Sequence, residues 1–377
     1  MSSKNLYINQ DTKLSPIINN TKIHTDDSTP FESKASLDKS SIEYIIKTGL
    51  AGGLAGCTGK TLIAPLDRIK ILFQTSNPQY AKYSGSIFGM IKAGNQIFKN
   101  DGILGFFQGH SATLLRIFPY AAIKFVAYEQ VRRILIPNDS YETSIRRLLS
   151  GSIAGLCSVF ITYPLDLIRV RLAFETKKTS SHNGRLITTI KQIYKEHPTL
   201  NKDLVFINQL KKTLPHSISN LTNFYRGFIP TIMGMIPYAG VSFWTHDLIH
   251  DIFRHPLLSS YTLDQEIPTL DQQQTSGGLG SRGRTPLNTW AQLLAGGLAG
   301  MFSQTAAYPF EVIRRRLQVG GVNNGKFIGI REMALKIWKE RGVKGFYVGL
   351  SIGYIKVIPM VACSFFVYER TKFKLGV

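Results

Sequence analysis

A six-residue motif, in which a proline is followed by any residue, an acid, two further residues and a base, occurs three times in this chain. The copies are Pro65–Lys70, Pro164–Arg169 and Pro309–Arg314, and each ends an apolar run rich in glycine. A proline bends a helix and frees a backbone carbonyl. The acid and base are three residues apart on one helical face, so spacing alone predicts an ion pair within each motif. Three copies in the same context indicate an internal repeat.

Glycine and proline landmarks give the length of the repeat. Gly52-xxx-Gly56 recurs from Gly151 and from Gly296, at the same offsets of 99 and 145 residues as the motif prolines. Small residues at this spacing predict close approach of helix backbones. Each unit of about 100 residues holds two apolar runs, and a membrane-spanning helix needs only about 20 residues. The sequence therefore predicts an all-α membrane protein with six transmembrane helices in three pseudo-threefold repeats, each with a short helix in its connection.

The predicted domain organisation follows from these landmarks and from composition. A polar tail without hydrophobic periodicity is predicted to be disordered, and a segment rich in Gln and Gly is predicted to be a flexible linker. The predicted segments are the tail (1–40), repeat 1 (41–137), repeat 2 (141–254) with an inserted loop (197–223), the linker (255–285) and repeat 3 (286–377).

The positive charge is concentrated on one side of the predicted membrane helices. The chain has 45 basic and 24 acidic residues, a net charge of +21. The connections inside the repeats carry +18 of this charge, and these are residues 68–107, 169–223 and 314–345. Basic loops on one side only are the positive-inside pattern of membrane proteins. The alternative, a soluble nucleic-acid-binding or scaffold protein, predicts basic residues along soluble helices instead.

Catalytic and metal-binding signatures are absent from the sequence. It contains no Walker loop, dinucleotide fingerprint, catalytic triad or zinc spacing. The three cysteines lie in apolar runs and the eight histidines form no cluster. We therefore expect no enzyme activity, no cofactor and no metal.

Taken together, these features resemble the mitochondrial carrier family over residues 42–373. Ala51–Cys57, Lys60-Thr61 and Arg116–Tyr120 are most similar to the branch that holds the coenzyme A carriers and the Graves disease carrier. The resemblance implies alternating access in the mitochondrial inner membrane, with both termini facing the intermembrane space. It further implies a monomer that contacts membrane lipid, with cardiolipin as the candidate, and no nucleic acid.

The same resemblance assigns two gates. The matrix gate consists of the motif acids and bases, Asp67, Lys70, Asp166, Arg169, Glu311 and Arg314. In the family the acid of one repeat pairs with the base of the next, which implies Asp67 with Arg169. Glutamine braces match Gln74 and Gln318, whereas the second copy has Ala173. The cytoplasmic gate consists of Tyr128, Glu129, Arg132, Asp247, His250, Tyr368, Glu369 and Lys372. His250 departs from the family pattern of a permanent base, which predicts a weaker pair.

Four cations inside the predicted spans are candidates for binding an anionic substrate, because charges at this depth are costly and usually line a cavity. Arg116 and Lys356 lie thirteen residues before Glu129 and Glu369, hence at equal depth. Lys60 lies five residues before a motif proline, and Lys124 shares one helical face with Arg116 and Tyr120. At the equivalent position of the second repeat the chain has Gly234 followed by Met235. The family pattern of this pair implies room for an adenine ring.

The predicted substrate is therefore coenzyme A or a related adenine-containing phosphorylated solute. The alternative is another adenine nucleotide carrier, of the ADP/ATP or the ATP-magnesium and phosphate type. Arg314-Arg315-Arg316 is followed by Leu317-Gln318-Val319, not by the three methionines of the ADP/ATP exchangers. The 40-residue tail has no calcium loop of the kind found in the calcium-regulated carriers.

Overall fold

A computed structural model describes residues 42–138, 143–176, 185–196, 216–262, 287–324 and 328–376. These ranges contain α-helices and short 3₁₀ turns but no β-strand. The helices are α1 (Ile42–Gln74), α2 (Ile87–Gly105), α3 (His110–Leu135), α4 (Ser144–Phe174), α5 (Arg185–Lys195), α6 (His216–Leu221), α7 (Phe228–Phe253), α8 (Pro256–Thr262), α9 (Thr289–Asn324), α10 (Ile330–Arg341), α11 (Leu350–Ile355) and α12 (Val357–Leu375).

Prolines shape the long helices in two ways. The motif prolines lie inside α1, α4 and α9, which continue through them. In the third repeat the last long helix is divided into α11 and α12 at Lys356. Pro359 has no N–H for the carbonyl of Ile355. The backbone of Lys356 nevertheless stays right-handed helical (φ −72°, ψ −19°) and keeps hydrogen bonds to Ile352 and Met360, so α11 and α12 follow one another almost continuously.

The closest helix packing joins neighbouring repeats and closes a ring. The helix α3 packs along α4, α7 along α9, and α12 along α1. Beyond each motif, the long helix also packs on the short helix of its own repeat. In the first repeat Ile69 and Leu72 contact Ile97 of α2, and in the third Val312 contacts Ile337 of α10. The buried core is thus concentrated at the motif end of the ring.

The outer surface of the ring is apolar. Helix α12 has no buried residue, and Ile358, Phe365 and Phe366 are 77%, 66% and 69% exposed. Exposed apolar patches of this kind mark an interaction surface such as a membrane. Two helical stretches, Arg146–Phe174 and Ile330–Leu375, are long and apolar enough to cross a membrane by length and composition.

Three expectations differ from the structure or lie beyond it. The start of the predicted linker forms α8, and the end of the predicted inserted loop forms α6. The tail (1–40) and most of both insertions lie outside the described residues. The predicted close approach of helix backbones is wrong at Gly52, Gly151 and Gly296. A Cβ atom added to any of these glycines would have no neighbouring heavy atom within 4 Å. The tight contacts are made instead by Gly53, against Phe118, and by Gly59.

Candidate substrate site and gate

The residues that are predicted to form the matrix gate lie where the three motif helices converge. Ile71 of α1, Val170 of α4 and Val319 of α9 pack in one buried cluster just beyond the motifs. The chain direction reverses soon afterwards, so the charged motif residues are confined between this cluster and the centre of the ring. Asp67 and Asp166 are only 7% and 1% exposed. Buried carboxylates require partners, because an unpaired charge in such a place is costly.

Every acid of the matrix gate is paired with a base from another repeat. The pairs are Asp67 with Arg169 (2.8 Å), Asp166 with Arg314 (2.6 Å) and Glu311 with Lys70 (2.9 Å). The ion pair within each motif that spacing alone predicts is wrong: Asp67 does not contact Lys70. Convergence of three helices explains the difference, because acid and base on one helix then face two different neighbours. The pairing is the one that the family resemblance implies.

Two of the three seams carry an additional brace of glutamine and tyrosine. Gln74 Nε2 donates to Glu311 Oε1 at 3.2 Å and to the hydroxyl of Tyr308 at 3.0 Å. The same arrangement recurs in the seam of Asp166, where Gln318 Nε2 donates to Asp166 (3.1 Å) and to Tyr163 (3.2 Å). Both tyrosines directly precede a motif proline. Hydrogen bonds to a charged group contribute about 1.5–3 kcal/mol, so the braces stabilise these seams.

The third seam, between α1 and α4, has no such brace. Ala64 stands before the proline in place of tyrosine, and Ala173 stands in place of glutamine. Both alanines line a small, partly open cavity next to Asp67 and Arg169. His110, at the start of α3, lines the same cavity. Asp67 therefore lacks the glutamine bond that the other two gate acids receive, although Arg68 and Asn77 donate to backbone carbonyls of Ala173 and Phe174 across this seam.

Two of the predicted substrate cations contact the gate acids. Arg116 Nη1 lies 2.9 Å from Asp166 Oδ1, and its guanidinium lies over the ring of Tyr120 at 5.3 Å. Lys356 Nζ lies 2.7 Å from Asp67 Oδ1. The two side chains thus occupy equivalent places in the ring, as their equal depth in the sequence predicts.

The other two predicted cations are placed differently. Lys60 Nζ lies 3.4 Å from the thioether of Met360 and forms no ion pair with any residue that the structure describes. A thioether is a weak acceptor, so this ammonium group retains capacity for an anion. Lys124 is exposed on α3, two turns beyond Arg116 and away from the gate.

The predicted adenine position is occupied by protein in this conformation. A Cβ atom at Gly234 would lie 3.1 Å from Phe310 Cβ, so this glycine allows α7 to approach α9. Met235 lies close to Gly155 of α4, since its Cε would be 4.0 Å from a Cβ atom added to that glycine. Room for a ring beside Gly234 therefore requires movement of Phe310, which is itself the second residue of the third motif.

The cytoplasmic gate residues do not form a ring of pairs. Glu129 and Glu369 make no ion pair within the described part of the chain. Lys372 lies over the ring of Tyr368, its own neighbour on α12, at 5.6 Å. His250 stacks on His246 with ring centroids 4.1 Å apart, and Asp247 is exposed. The ring is thus closed by charge pairs at the motif end.

Sequence reasoning missed Arg315 as a member of this cluster of predicted gate residues. Its Nη1 lies 2.9 Å from Asp166 Oδ2 and 3.0 Å from Gln318 Oε1, so Asp166 is paired with three bases. The run Arg314-Arg315-Arg316 is the sequence signal for this residue, because it places a second arginine beside the motif base.

A second charged cluster lies outside the spans, at the end of α5. Glu196 pairs with Arg171 at 2.8 Å and with Arg226 at 2.6 Å. Burial lowers the pKa of Arg226 to about 10, although Glu196 acts in the opposite direction. This cluster fastens the connection of repeat 2 to α4, and Arg171 Nε also donates to the backbone carbonyl of Gln318 on α9.

No group of three or more His, Cys, Asp or Glu residues in the described part of the chain could hold a metal ion. The cysteines Cys57, Cys157 and Cys363 are free thiols.

Comparison with known proteins gives one consistent result. The sequence pattern of the family described as mitochondrial carrier protein matches residues 42–139, 140–199, 206–257 and 285–376. A mitochondrial carrier protein of Saccharomyces cerevisiae is 56% identical over 378 residues, which cover 97% of this chain and 100% of the relative. Solute carrier family 25 member 16 of Homo sapiens is 37% identical over 332 residues, 87% of this chain and 88% of the relative. Mitochondrial carrier protein CoAc2 of Zea mays is 35% identical over 333 residues, 87% of this chain and 86% of the relative.

Proposed function

This chain belongs to the mitochondrial carrier family, and we propose that it moves coenzyme A, or a closely related adenine-containing phosphorylated solute, across the inner membrane by alternating access. Family membership makes the protein a transporter rather than an enzyme, and places it in the mitochondrial inner membrane. In the proposed topology six helices span the membrane: α1, α3, α4, α7, α9 and the pair α11–α12. Both termini then face the intermembrane space, and the basic connections face the matrix.

The observation that carries the substrate proposal is the convergence of Lys60, Arg116 and Lys356 on the inner side of the gate acids. Lys60 has no carboxylate partner among the described residues, and it lies about 10 Å along α1 from Asp67. Phosphate groups bind to such sets of lysine and arginine, and arginine can bind them bidentately. Coenzyme A carries a diphosphate and a separate phosphate, which matches cations contributed by several helices.

Alternating access is proposed from the asymmetry of the two ends. Cross-repeat pairs and braces close the motif end, whereas Glu129 and Glu369 at the other end remain without ion pairs in the described chain. At an effective dielectric constant near 20, one pair at 4 Å has about 4 kcal/mol of Coulomb energy before desolvation. Desolvation cancels much of this energy, so the open and closed states can be close in free energy. The conformation corresponds to a carrier open toward the intermembrane space.

The adenine moiety is proposed to bind beside Gly234 and Met235 once Phe310 moves. Met235 offers a flexible, polarizable surface for a planar ring. Tyr120 and Lys124 extend the candidate binding face of α3 toward the open end. A single protein chain supplies every element of the proposed site, which supports a monomer as the transporting unit. Cardiolipin is the proposed lipid partner.

Reconstitution into liposomes tests this proposal. The panel comprises coenzyme A, dephospho-coenzyme A, 3′,5′-ADP, ADP, ATP-magnesium and a set of carboxylates. We expect uptake of coenzyme A to exceed that of ADP and ATP-magnesium, and uptake of the carboxylates to be absent. If ADP or ATP-magnesium were transported best, the chain would be an adenine nucleotide carrier. If only carboxylates were transported, the phosphate-binding role of the three cations would be wrong.

The variant Lys60→Gln is a second test, with Lys47→Gln on the same helix as the matched control. Lys47 pairs with Glu43 at the far end of α1, at 2.7 Å. We expect the Lys60→Gln variant to require a higher coenzyme A concentration for half-maximal uptake, because a phosphate contact is lost. The Lys47→Gln variant should behave as wild type. Equal behaviour of both variants would remove Lys60 from the site.

A further inference from the structure

Two histidines lie side by side near the end of α7, at the end of the ring opposite to the motifs. His246 and His250 are four residues apart, and residues at this spacing are neighbours on one face of an α-helix. Their rings stack with centroids 4.1 Å apart and planes inclined by 30°. Neither residue is buried, and the side chain of His246 is 43% exposed. The two imidazoles are therefore adjacent and accessible to solutes.

The distance between the rings is close to what a shared metal ion requires. Bonds from zinc to imidazole nitrogen are about 2.0–2.1 Å long, so a tetrahedral ion places two nitrogen ligands about 3.3 Å apart. Rings with centroids 4.1 Å apart reach this separation by rotation about their side-chain bonds, without movement of the helix. Histidines four residues apart on one helical face bind zinc together in helical metal motifs. The pair thus has the spacing of a chelating pair.

The charges around the pair favour a cation. Asp247 Oδ1 lies 3.8 Å from Nδ1 of His246. A carboxylate beside one ring nitrogen orients a ligand histidine and leaves the other nitrogen, Nε2, for the ion. Asp251 directly follows His250, and Arg254 is the one base in the segment from His246 to Arg254. Two carboxylates against one guanidinium give this segment a net charge of −1 when the imidazoles are neutral.

We propose that His246 and His250 bind a divalent transition-metal ion of the zinc, copper or nickel class. The inference goes beyond the proposed transport function and does not depend on the transported solute. Imidazole is a preferred ligand of these ions, whereas calcium and magnesium take oxygen ligands. The pair is not accompanied by cysteines at zinc-finger spacing, which is why the sequence alone did not indicate a metal. Two protein ligands leave the other coordination positions to water, so the bound ion exchanges with solution.

Titration calorimetry with zinc chloride measures this binding. The full chain is purified in detergent through an affinity tag without histidine, stripped with a chelator and titrated at about pH 7.5, where an unperturbed imidazole is neutral. The variants are His246→Gln, His250→Gln and the double variant. The matched control is His255→Gln, because His255 is an exposed histidine five residues beyond the pair. The thermal transition of each variant shows that the fold is retained.

We expect wild type to bind one zinc ion for each chain. Each single variant should bind zinc at least about tenfold more weakly, because one ligand of the ion is lost. The double variant should show no saturable binding at this site, and the His255→Gln control should match wild type. Electron paramagnetic resonance with copper(II) gives a second readout. The spectrum of wild type should show coupling to two imidazole nitrogens, and that of each single variant coupling to one.

Wild type without saturable zinc binding would overturn the inference, as would a double variant that binds zinc with wild-type affinity. An equal loss of affinity in the His255→Gln control and in the pair variants would assign the binding to scattered surface histidines, which also contradicts a site at this pair. The titration contains no transport substrate. A protein that binds zinc through the pair but does not transport coenzyme A would therefore refute the proposed substrate and leave the metal site supported.

Discussion

Removal of the Gln318 brace should shift the protein toward the conformation with an open matrix gate. In the closed gate Gln318 Nε2 donates to Asp166 Oδ2 at 3.1 Å, and Gln318 Oε1 accepts from Arg315 at 3.0 Å. The side chain is completely buried. Counting only the bond to the carboxylate, the Gln318→Ala variant destabilises the closed gate by about 1.5–3 kcal/mol. The ratio of open to closed protein then rises by about tenfold to a hundredfold.

The assay uses an Ala173→Cys probe in a background with Ser at positions 57, 157 and 363, because Ala173 is buried at this end of the ring. A membrane-impermeant maleimide on the matrix side of liposomes labels this cysteine when the gate opens. Ala173 packs in the same buried cluster as Val319, the neighbour of Gln318, so loosening of one seam reaches the probe. The control is Gln79→Ala, which changes an exposed glutamine of the connection between α1 and α2. We expect faster labelling for the Gln318→Ala variant and wild-type labelling for the control. Unchanged labelling of the Gln318→Ala variant would show that the brace does not hold the gate closed.

Three further predictions concern other parts of the ring. In the Ala173→Gln variant the new side chain should donate to Asp67 and supply the missing brace. The rate of coenzyme A uptake should fall, and uptake at or above the wild-type rate would contradict this. The Gly234→Ala variant should push Phe310 away from α7 and lower the free energy of unfolding in detergent by about 1–3 kcal/mol, as overpacking does. The control is Gly240→Ala, which should keep the wild-type stability because a Cβ atom there has no neighbour within 4 Å. The His250→Arg variant should supply a permanent base, strengthen the cytoplasmic gate and reduce coenzyme A uptake; uptake at the wild-type rate would exclude a gating role of His250.

The repeat architecture could be predicted from the sequence because the glycine and proline landmarks recur together, at the same offsets of 99 and 145 residues. The motif prolines and the glycine runs gave three units, and the all-helical structure has the long helices at these places. The partner of each motif acid was harder to predict from the sequence. Spacing favoured a bond between Asp67 and Lys70, and only the family resemblance implied the partner from the next repeat. Helix convergence decides between the two, and no local pattern encodes it.

The candidate site was also predictable only in part. Depth along the helices predicted that Arg116 and Lys356 occupy equivalent places, which depends on counting residues alone. Their contacts with the gate acids depend on how closely α3 meets α4 and α12 meets α1. The contact of Gly234 with Phe310 could not be predicted either, because the residue type at a position does not indicate which side chain of another helix packs against it. Packing between repeats, rather than local sequence, determines these features.

The most direct measurement compares coenzyme A uptake into liposomes by wild type and by variants in which the charges of one gate pair are exchanged. Lys70 and Glu311 are suitable, because Glu311 has no other ion-pair partner in the described chain. Wild type should take up coenzyme A, the Lys70→Glu and Glu311→Lys variants should each lose most of the uptake, and the double variant should recover a substantial part of it. Failure of wild type to transport coenzyme A would contradict the proposed substrate. A double variant as inactive as the single variants would contradict a gate closed by pairs between repeats.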